Sequence, residues 1–436
     1  MKKSENSSRR DFVKKSSMAL LGGTVLAGYA GKLRAGNPGN GNIRVGLVGC
    51  GDRGTGAAVQ AMMAAENIAL TAMGDTFRDK LDSSYINLKQ NDPRNQVKVA
   101  DENKFTGFDS YLKVIDKCDA VILATPPPFR PSHFEAAIKA GKHVFMEKPL
   151  AVDVPGYHKI MEIGELANSR NVNVVVGLQF RYQKSFQELI KKIWDGAMGR
   201  VVSLDVYFNV AAPVIHERQQ GWTEMEFQLR NWRYFTWLWG GQLAGQTIHQ
   251  MDVMNWLMKD YPVSVKGIGG RQTFFGPNQG HTYDHHYAEF KYSNGVKMHV
   301  TGATMDRCWS RMGFDILGTQ GMANERNMIM DLDGKIIWKY RDEDDPNAYE
   351  VEHQVFFDAI NKGKHVNDTE FGAKSSLTTI MGRMAIHSGR ELEIDDVLKS
   401  TRSILPEKFT WDAKMPVEPD ENGEYPVDVP GKTEVL

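Results

Sequence analysis

Residues 43–56 read IRVGLVGCGDRGTG. The apolar run Ile43–Val48 leads into three glycines, Gly49, Gly51 and Gly54, and an alanine-rich stretch of helical character follows. A G-x-G-x-x-G pattern between a strand and a helix is typical of a dinucleotide-binding fold. The first glycine permits a tight turn, the second lets a pyrophosphate approach the backbone, and the third allows the helix to pack closely on the strand. The stretch therefore predicts a site for a dinucleotide.

An acid follows at the expected distance. The second apolar run, Ile68–Met73, leads to Asp75, which stands about 20 residues past Gly54. A carboxylate there accepts hydrogen bonds from a ribose 2′-hydroxyl and repels a 2′-phosphate, so we predict NAD(H) rather than NADP(H). The alternative is a glycine-rich turn that binds nothing. It is disfavoured because strand, helix and acid are all in place.

Composition limits the classes of function. The chain has 436 residues, with 53 basic and 54 acidic side chains, so its charge gives no support to a nucleic-acid partner. Three scattered cysteines are too few for a disulfide framework or a cysteine-based metal site. The single histidine-rich cluster, residues 281–286, lacks the spacing of a closed metal site. We therefore predict a protein that binds small molecules, without a metal.

The N-terminal residues resemble an export signal. Residues 8–14 read SRRDFVK, which matches the twin-arginine export pattern, and a weakly apolar run follows from Met18 to Gly28. That run is shorter than the roughly 20 residues that span a bilayer, so it predicts a signal peptide rather than a membrane anchor. The alternative is a disordered basic tail. Because the twin-arginine pathway carries folded proteins, we expect a periplasmic or otherwise exported enzyme that keeps its NAD and regenerates it in place.

Two sheets are predicted from the rest of the chain. Alternating apolar runs and helical stretches to about Leu150 predict a doubly wound parallel sheet of the Rossmann type. Longer alternating runs after about Val172 predict an α+β domain with a large, mostly antiparallel open sheet. The strand candidates beyond the first two are 120–124, 143–146, 174–176, 201–210, 263–275, 287–292, 296–304 and 314–319. The predicted segments are a signal peptide at 1–35, an NAD-binding Rossmann domain at 42–165, a substrate-binding and oligomerisation domain at 166–400, and an extended tail at 401–436.

Two side chains are candidates for acid–base chemistry. Lys148 ends a strand on the carboxyl side of the parallel sheet, where ligands bind in such folds. Burial there would lower the pKa of the lysine toward working pH, as a general acid or base requires. His249 stands early in a predicted helix and could move a proton, with Asp252 placed to orient it. The alternatives are a solvated lysine at a strand end and a structural histidine.

A tryptophan-rich segment is the candidate for substrate binding. Trp222, Trp232, Trp237 and Trp239 stand close together in the sequence. Aromatic faces pack well on the C–H faces of sugars, although a core or oligomer-interface patch explains such a cluster equally well. After the strand at 174–176, polar side chains could add contacts to the pocket; these are Gln179, Arg181 and Tyr182.

In combination these features resemble the Gfo/Idh/MocA proteins, the glucose–fructose oxidoreductase and inositol dehydrogenase family, from Ile43 to about Ser400. The marks, in order, are the glycines at 49–54, Asp75, Thr125-Pro126, Glu147-Lys148-Pro149, and the run from Gly240-Gly241 to His249-x-x-Asp252. The resemblance implies that Lys148 is the catalytic lysine and His249 its partner in the cleft. It also implies a homo-oligomer, a dimer or tetramer, because the open sheet of such proteins often makes the subunit contact.

The residues assigned on this basis fall into three groups. The cofactor-binding residues are Gly49, Gly51, Asp52, Arg53, Gly54, Asp75, Thr125, Pro126, His133, Glu147 and Lys148. The catalytic residues are Lys148 and His249. The substrate-binding residues are Arg181, Tyr182, Trp232 and Asp252. One departure stands out, because the family's usual acid four residues before the histidine is replaced here by Gly245.

Three functions are consistent with this pattern. The first is an exported NAD-dependent oxidoreductase that acts on a sugar, a sugar derivative or a cyclitol, with Lys148 as acid and base. The second is a glycosidase or lyase that uses bound NAD transiently and shows no net redox change. The third is a non-catalytic sugar-binding homologue, which the glycine at position 245 makes worth testing.

Overall fold

A computed structural model describes residues 41–341 and 345–436. The predicted signal peptide lies outside the described residues. Within them, no helix is long and apolar enough to cross a membrane.

The first sheet has six strands, all parallel, in the order β3-β2-β1-β4-β5-β6. The strands are β1 (Ile43–Val48), β2 (Ile68–Asp75), β3 (Lys104–Thr106), β4 (Ala120–Leu123), β5 (His143–Met146) and β6 (Val174–Val176). This order is that of a dinucleotide-binding doubly wound sheet, whose ligands bind outside the carboxyl ends of the strands where the order reverses. The prediction of a Rossmann sheet is confirmed.

Helices cover both faces of this sheet. They are α1 (Asp52–Ala64), α2 (Arg78–Gln90), α3 (Ser110–Asp116), α4 (Arg130–Lys139) and α5 (Val154–Ser169). The Asp153 side chain caps α5 by accepting the Gly156 N–H at 2.9 Å, so this helix starts at a satisfied N-terminus. The strands between the helices are almost wholly buried, which explains why they read as continuous apolar runs.

The second sheet has nine strands in the order β14-β13-β12-β11-β7-β10-β9-β8-β15. They are β7 (Val201–Val210), β8 (Ser264–Gly270), β9 (His285–Lys291), β10 (Lys297–Thr304), β11 (Arg311–Gly318), β12 (Met322–Asn324), β13 (Met328–Met330), β14 (Ile336–Lys339) and β15 (Leu392–Glu393). All pairs are antiparallel except β7 with β10. Buried and more exposed residues alternate along β9 and β10, so one face is packed and the other is open, as predicted.

The remaining α-helices follow β6 in the chain. They are α6 (Lys184–Trp194), α7 (Glu224–Arg230), α8 (Thr236–Trp239), α9 (Ile248–Met258), α10 (Ala348–Lys362), α11 (Thr369–Ser388) and α12 (Ile394–Val397). Helix α11 is almost completely buried and packs against both α5 and β8. Helix α10 returns to the first sheet and packs on α1. Strand β6 belongs to the first sheet, although the predicted boundary at residue 165 assigned it to the second domain.

The C-terminal segment after residue 400 contains no helix or strand but is closely packed. Phe409 lies against Phe129, with ring centroids 4.5 Å apart. Trp411 contacts Phe108 at 4.9 Å and Phe77 at 5.7 Å. The segment therefore runs across loops at the carboxyl edge of the first sheet.

Candidate active site

The glycine loop forms an open backbone cradle. Gly49 has a φ of +94°, which places it in the left-handed region, and a Cβ on Gly54 would lie 1.8 Å from the Gly49 carbonyl oxygen. No atom lies within 4 Å of the position a Cβ would take on Gly51. Helix α1 begins directly afterwards, at Asp52, and no side chain caps its N-terminus. Free amides and open space at a helix N-terminus fit the pyrophosphate of a dinucleotide.

Asp75 is fixed at the edge of this cradle. Its carboxylate accepts the Cys50 N–H at 2.6 Å and the Phe77 N–H at 2.8 Å. Burial raises the pKa of Asp75. Two backbone donors hold the carboxylate, whose oxygens have further lone pairs for a ribose hydroxyl. The geometry therefore fits the role that the sequence assigned to Asp75.

The loop after β4 forms the next part of the edge. The Nδ1 atom of His133 lies 3.3 Å from the Thr125 hydroxyl, and burial lowers the pKa of His133 to about 3, so this imidazole is neutral. Arg130 donates to the carbonyl oxygens of Leu123, at 2.6 Å, and Thr125, at 2.8 Å. Sequence analysis missed Arg130. Its only signal was its place directly after three prolines and a phenylalanine, where it also reads as the start of a helix.

Glu147 and Arg53, both assigned to the cofactor site, are paired with each other. The Arg53 Nε atom lies 2.8 Å from Glu147 Oε1, so the two side chains form an ion pair. The N–H group does not point at this oxygen closely enough to form a hydrogen bond. The Arg53 guanidinium also lies 5.1 Å from the ring centroid of Tyr349. The pair thus connects the start of α1 to the end of β5, beside the predicted catalytic lysine.

Lys148 joins the two domains at the centre of the site. Its Nζ atom donates to the carbonyl oxygen of Gly245 at 2.8 Å. Burial lowers the pKa of Lys148 to about 8; the charge of Glu147 opposes this change and that of Arg53 adds to it. A peptide carbonyl holds the nitrogen in place without stabilising its charge as a carboxylate would. Lys148 can therefore gain and lose a proton near neutral pH.

His249 lies close enough to sense the charge of Lys148. Burial lowers the pKa of His249 well below its ordinary value, and the charges of Lys148 and Arg53 add to this effect. Its ring meets Phe180 edge to face at 5.6 Å. The buried Nδ1 atom has no hydrogen-bond partner among the described residues. His249 is thus a neutral imidazole beside the lysine, where it can orient a hydroxyl by a hydrogen bond.

The structure places Arg181, Tyr182 and Asp252 in a buried network. Asp252, which is 1% exposed, accepts two hydrogen bonds of 2.8 Å from Arg181 and one of 2.6 Å from Ser375. Tyr182 donates to Asp368. The expectation that Asp252 orients His249 is wrong, because the carboxylate is held by Arg181. These three residues were assigned to substrate binding, but their polar groups here bind one another and residues of the helix α11 region.

Three of the four candidate tryptophans fall into two groups. Trp237 is a core residue, whose indole N–H donates to Gln228 at 2.6 Å. Trp232 is partly exposed and meets Trp239 edge to face, with centroids 6.5 Å apart. Trp239 in turn lies against Gly245, the residue that holds Lys148. The second pair therefore lines the site, and the core interpretation holds for Trp237.

Comparison with known proteins gives the family. The pattern described as the oxidoreductase family with an NAD-binding Rossmann fold matches residues 43–178, and the Gfo/Idh/MocA C-terminal domain matches residues 186–324. The chain belongs to the Gfo/Idh/MocA oxidoreductase family. Its first domain is the NAD-binding domain, and the cofactor is NAD.

Curated relatives of this Gfo/Idh/MocA protein are named as different kinds of enzyme. The chain is 25% identical to inositol 2-dehydrogenase of Acidiphilium cryptum, over 74% of this chain and 87% of that protein. It is 26% identical to 2,7-anhydro-N-acetylneuraminate hydratase of Escherichia coli over 47% of this chain. It is 32% identical to a glycosyl hydrolase family 109 protein of Solibacter usitatus over 38% of this chain. The matches span 51% of the hydratase and 36% of the hydrolase.

Solved structures of the family share the fold. The structure of scyllo-inositol dehydrogenase from Lactobacillus casei with NAD(H) and scyllo-inositol has a TM-score of 0.59 and 20% identity, covering 81% of this chain and 99% of that one. The aldose-aldose oxidoreductase of Caulobacter crescentus has a TM-score of 0.63 and 18% identity, covering 81% and 99%. At these identities the likeness establishes the fold alone.

One further buried group of this Gfo/Idh/MocA protein was missed by sequence analysis. Glu352 on α10 is fully buried, and burial beside Glu147 raises its pKa well above the ordinary range. Burial therefore favours the protonated form of Glu352, which lies near the Arg53–Glu147 pair. No signal in the sequence marks it, because it stands in an ordinary helical pattern. Within the described residues, no group of three or more histidine, cysteine or acidic side chains could hold a metal ion.

Proposed function

We propose that the protein is an exported NAD-dependent oxidoreductase that acts on a sugar, a sugar derivative or a cyclitol, with Lys148 as acid and base. The observation that carries this proposal is the environment of Lys148. It stands at the carboxyl end of β5, its Nζ atom is fixed by the Gly245 carbonyl at 2.8 Å, and its pKa is lowered to about 8. A general base works best when its pKa lies near the operating pH.

Each residue has a defined task in this proposal. NAD, when bound, accepts or returns the hydride. The neutral amine of Lys148 takes the proton of the reacting hydroxyl during oxidation, and its ammonium form returns a proton in the reverse direction. The neutral His249 orients the same hydroxyl by a hydrogen bond. The Arg53–Glu147 pair fixes the end of β5, so that the lysine is held at the edge of the cleft.

Replacement of the lysine tests this assignment. Lys148→Met should lower kcat/KM by about 10²- to 10⁴-fold while NAD still binds, because the proton acceptor is lost. Lys142→Met is the matched control, since Lys142 precedes β5 at the opposite edge of the sheet. Purified variants are assayed with NAD and a panel of neutral and acidic sugars and inositols. An unchanged activity in Lys148→Met would overturn the proposal and favour a non-catalytic sugar-binding homologue.

A second candidate is cleavage or hydration without net redox change. It is favoured by two relatives, one named a glycosyl hydrolase and one a hydratase, reactions that leave the cofactor unchanged overall. Oxidation of a ring hydroxyl would pass a hydride to NAD and acidify the neighbouring C–H, and loss of that proton would expel the oxygen substituent β to the new carbonyl as an alcohol. Water would then add to the resulting double bond, and the hydride would return to the carbonyl carbon. Product formation without accumulation of NADH would identify this class. Accumulation of NADH in proportion to product would identify a net oxidation.

Export and retention of the cofactor form one connected proposal. The SRRDFVK sequence at residues 8–14 supports twin-arginine export. The C-terminal segment, through Phe409 and Trp411, packs across loops near the cofactor edge and would slow the loss of NAD. The native protein, purified and then denatured, should release close to one NAD(H) per chain. Protein found in the cytoplasm after fractionation would contradict export. Protein purified without nucleotide would contradict retention of the cofactor.

A homo-oligomer is proposed from the open face of the second sheet. Large apolar side chains on this face are exposed, among them Ile268, Tyr287 and Leu317. An exposed apolar face of this kind marks an interaction surface. Light scattering coupled to size exclusion would test the proposal, and a monomer at micromolar concentration would refute it.

A further inference from the structure

The peptide that holds the catalytic lysine lies under an indole ring. A Cβ on Gly245 would lie 1.7 Å from Nε1 of Trp239 and 2.3 Å from its Cδ1 atom. The Trp239 side chain is itself only 2% exposed. The ring therefore takes the space that any side chain at position 245 would need, and it brings an indole N–H beside Lys148.

Two glycines produce this arrangement. Gly240 and Gly241 have φ values of +74° and +77°, in the left-handed region that side chains other than glycine rarely adopt. The chain therefore reverses at the end of α8. A π-helical turn, Leu243–Thr247, then leads into α9 and carries Gly245 back over the ring of Trp239. The double glycine and the glycine at 245 thus belong to one structural unit.

The indole N–H of Trp239 donates to no residue in the part of the chain that the structure describes, whereas the N–H of Trp237 donates to Gln228 at 2.6 Å. A tryptophan N–H in so enclosed a position normally has a hydrogen-bond partner. A ligand oxygen in the cleft would supply one.

Positive charge continues along the same wall. The ring of Trp232 lies edge to face with Trp239, at 6.5 Å, and the guanidinium of Arg233 lies 5.2 Å from the centroid of the Trp232 ring. Arg233 is exposed and forms no ion pair with a described carboxylate. Its charge also contributes to the lowered pKa of Lys148. A guanidinium that destabilises a neighbouring ammonium is favourable where an anion binds between them.

We propose that Lys148, Trp239, Trp232 and Arg233 form one wall that binds a sugar carrying a carboxylate, such as a uronic or aldonic acid. This inference rests on the proposed function, because it names the substrate class of the same site. Trp232 contacts the C–H face of the sugar, and the Trp239 N–H donates to a ring or hydroxyl oxygen. The planar guanidinium of Arg233 matches the carboxylate, and Lys148 stands at the reacting hydroxyl.

Matched pairs of sugars test the inference on the NAD-loaded protein. The probes are glucuronate against glucose and galacturonate against galactose, with binding measured by calorimetry and hydride transfer by the absorbance of the reduced nicotinamide. The acidic member of a pair should bind more tightly. Arg233→Gln should raise its KM by about 10- to 100-fold with kcat largely retained, because a charge-assisted bond away from the reacting carbon is lost. Arg326→Gln, at an exposed position in the hairpin between β12 and β13, should leave both parameters unchanged.

A second variant tests the indole. Trp239→Phe keeps a ring beside Gly245 but removes the N–H, so kcat/KM should fall about 2- to 10-fold for acidic and neutral sugars alike. If acidic sugars bind in a way that depends on Arg233 but no hydride is transferred, this inference is supported and the proposed oxidation is overturned. Equal affinity for acidic and neutral sugars, or an Arg233→Gln variant that behaves like the wild type, would overturn the inference and leave the oxidation standing.

Discussion

Two glycine-marked regions line the cleft, and they exclude side chains for different reasons. In the glycine loop at residues 49–54, a Cβ on Gly54 would lie 1.8 Å from a backbone oxygen, that of Gly49. In the turn at residues 240–245, a Cβ on Gly245 would lie 1.7 Å from the ring of Trp239. The distances are almost equal, but the first neighbour is main chain and the second is a side chain.

This difference separates a constraint set by the backbone of the fold from one set by a single side chain. A close approach between backbone segments is part of the fold, so every chain that binds a dinucleotide in this way needs the glycine. A close approach between a backbone and a tryptophan depends on which residue stands six positions earlier, here Trp239 before Gly245. The glycine loop at the cofactor edge is therefore fixed by the backbone of the fold, whereas the packing at Gly245 is fixed by one side chain, Trp239.

The largest expected effect comes from the backbone contact. Gly54→Ala should destabilise the fold by about 3 kcal/mol or more and abolish NAD binding, since neither α1 nor the turn can move without loss of the strand–helix packing. The measurements are denaturant unfolding of the nucleotide-free protein and titration with NAD. A stable Gly54→Ala protein that still binds NAD would show that the two glycine regions are equally adaptable.

Gly51→Ala is the matched control for this prediction. No atom lies within 4 Å of the added Cβ, so the stability of the nucleotide-free protein should change by less than about 0.5 kcal/mol. The methyl group would, however, stand where the pyrophosphate approaches the backbone. The affinity for NAD should therefore fall at least about tenfold, or 1.4 kcal/mol.

Most of the fold could be predicted because its strands are long and periodic. Strands β1 and β7 begin and end at the predicted residues. Strands β3 and β12 to β15 were not predicted. They have two to four residues and none is buried along its whole length, whereas the equally short β5 and β6, which were predicted, are fully buried. Strand β8 was predicted to continue to residue 275 but ends at Gly270, where the Asp284 carboxylate accepts the N–H groups of the next residues and turns the chain away.

The site could be predicted only where its contacts are local in the sequence. The glycines and Asp75 act through spacing along one β-α-β unit, and the position of Lys148 follows from the end of a strand. The partner of Asp252 could not be predicted, because Arg181 stands 71 residues earlier in the sequence and only the fold brings the two together. The contact between Trp239 and Gly245 depends on the positive φ angles of Gly240 and Gly241. The order of residues in the sequence does not show those angles.

The side-chain contact should give a smaller and reversible effect. Gly245→Ala should cost about 1–3 kcal/mol of stability, because the ring of Trp239 must shift in a packed site. A smaller residue at 239 should relieve that cost, so a double-mutant cycle with Trp239→Ala should show a coupling energy of about 1 kcal/mol or more. No such rescue is available for Gly54→Ala. Additive effects in the cycle would mean that the ring does not limit position 245.

The smallest effect is expected in the pH dependence of kcat/KM, which reports the pKa of Lys148. Lys148 has a pKa of about 8 because burial and neighbouring arginines outweigh Glu147, and the Gly245 carbonyl adds no negative charge. Oxidation needs the neutral amine, so kcat/KM should fall about tenfold per pH unit below about 8, or 1.4 kcal/mol, and level off above it. In the reverse direction the ammonium form is needed, so kcat/KM should fall above the same value. His249, whose pKa is far below its ordinary value, should add no second limb near pH 6.5.

Three variants separate the groups that could set this profile. Trp239→Phe and His249→Gln should lower the rate without moving the inflection, since neither removes a charge near the lysine. Arg233→Gln should raise it slightly, because one of the cations that destabilise the ammonium is gone. An inflection near 10 in the wild-type protein, the ordinary value for a solvated lysine, would show that the wall does not enclose Lys148. The contact between Trp239 and Gly245 would then determine the packing of this wall without lowering the pKa of Lys148.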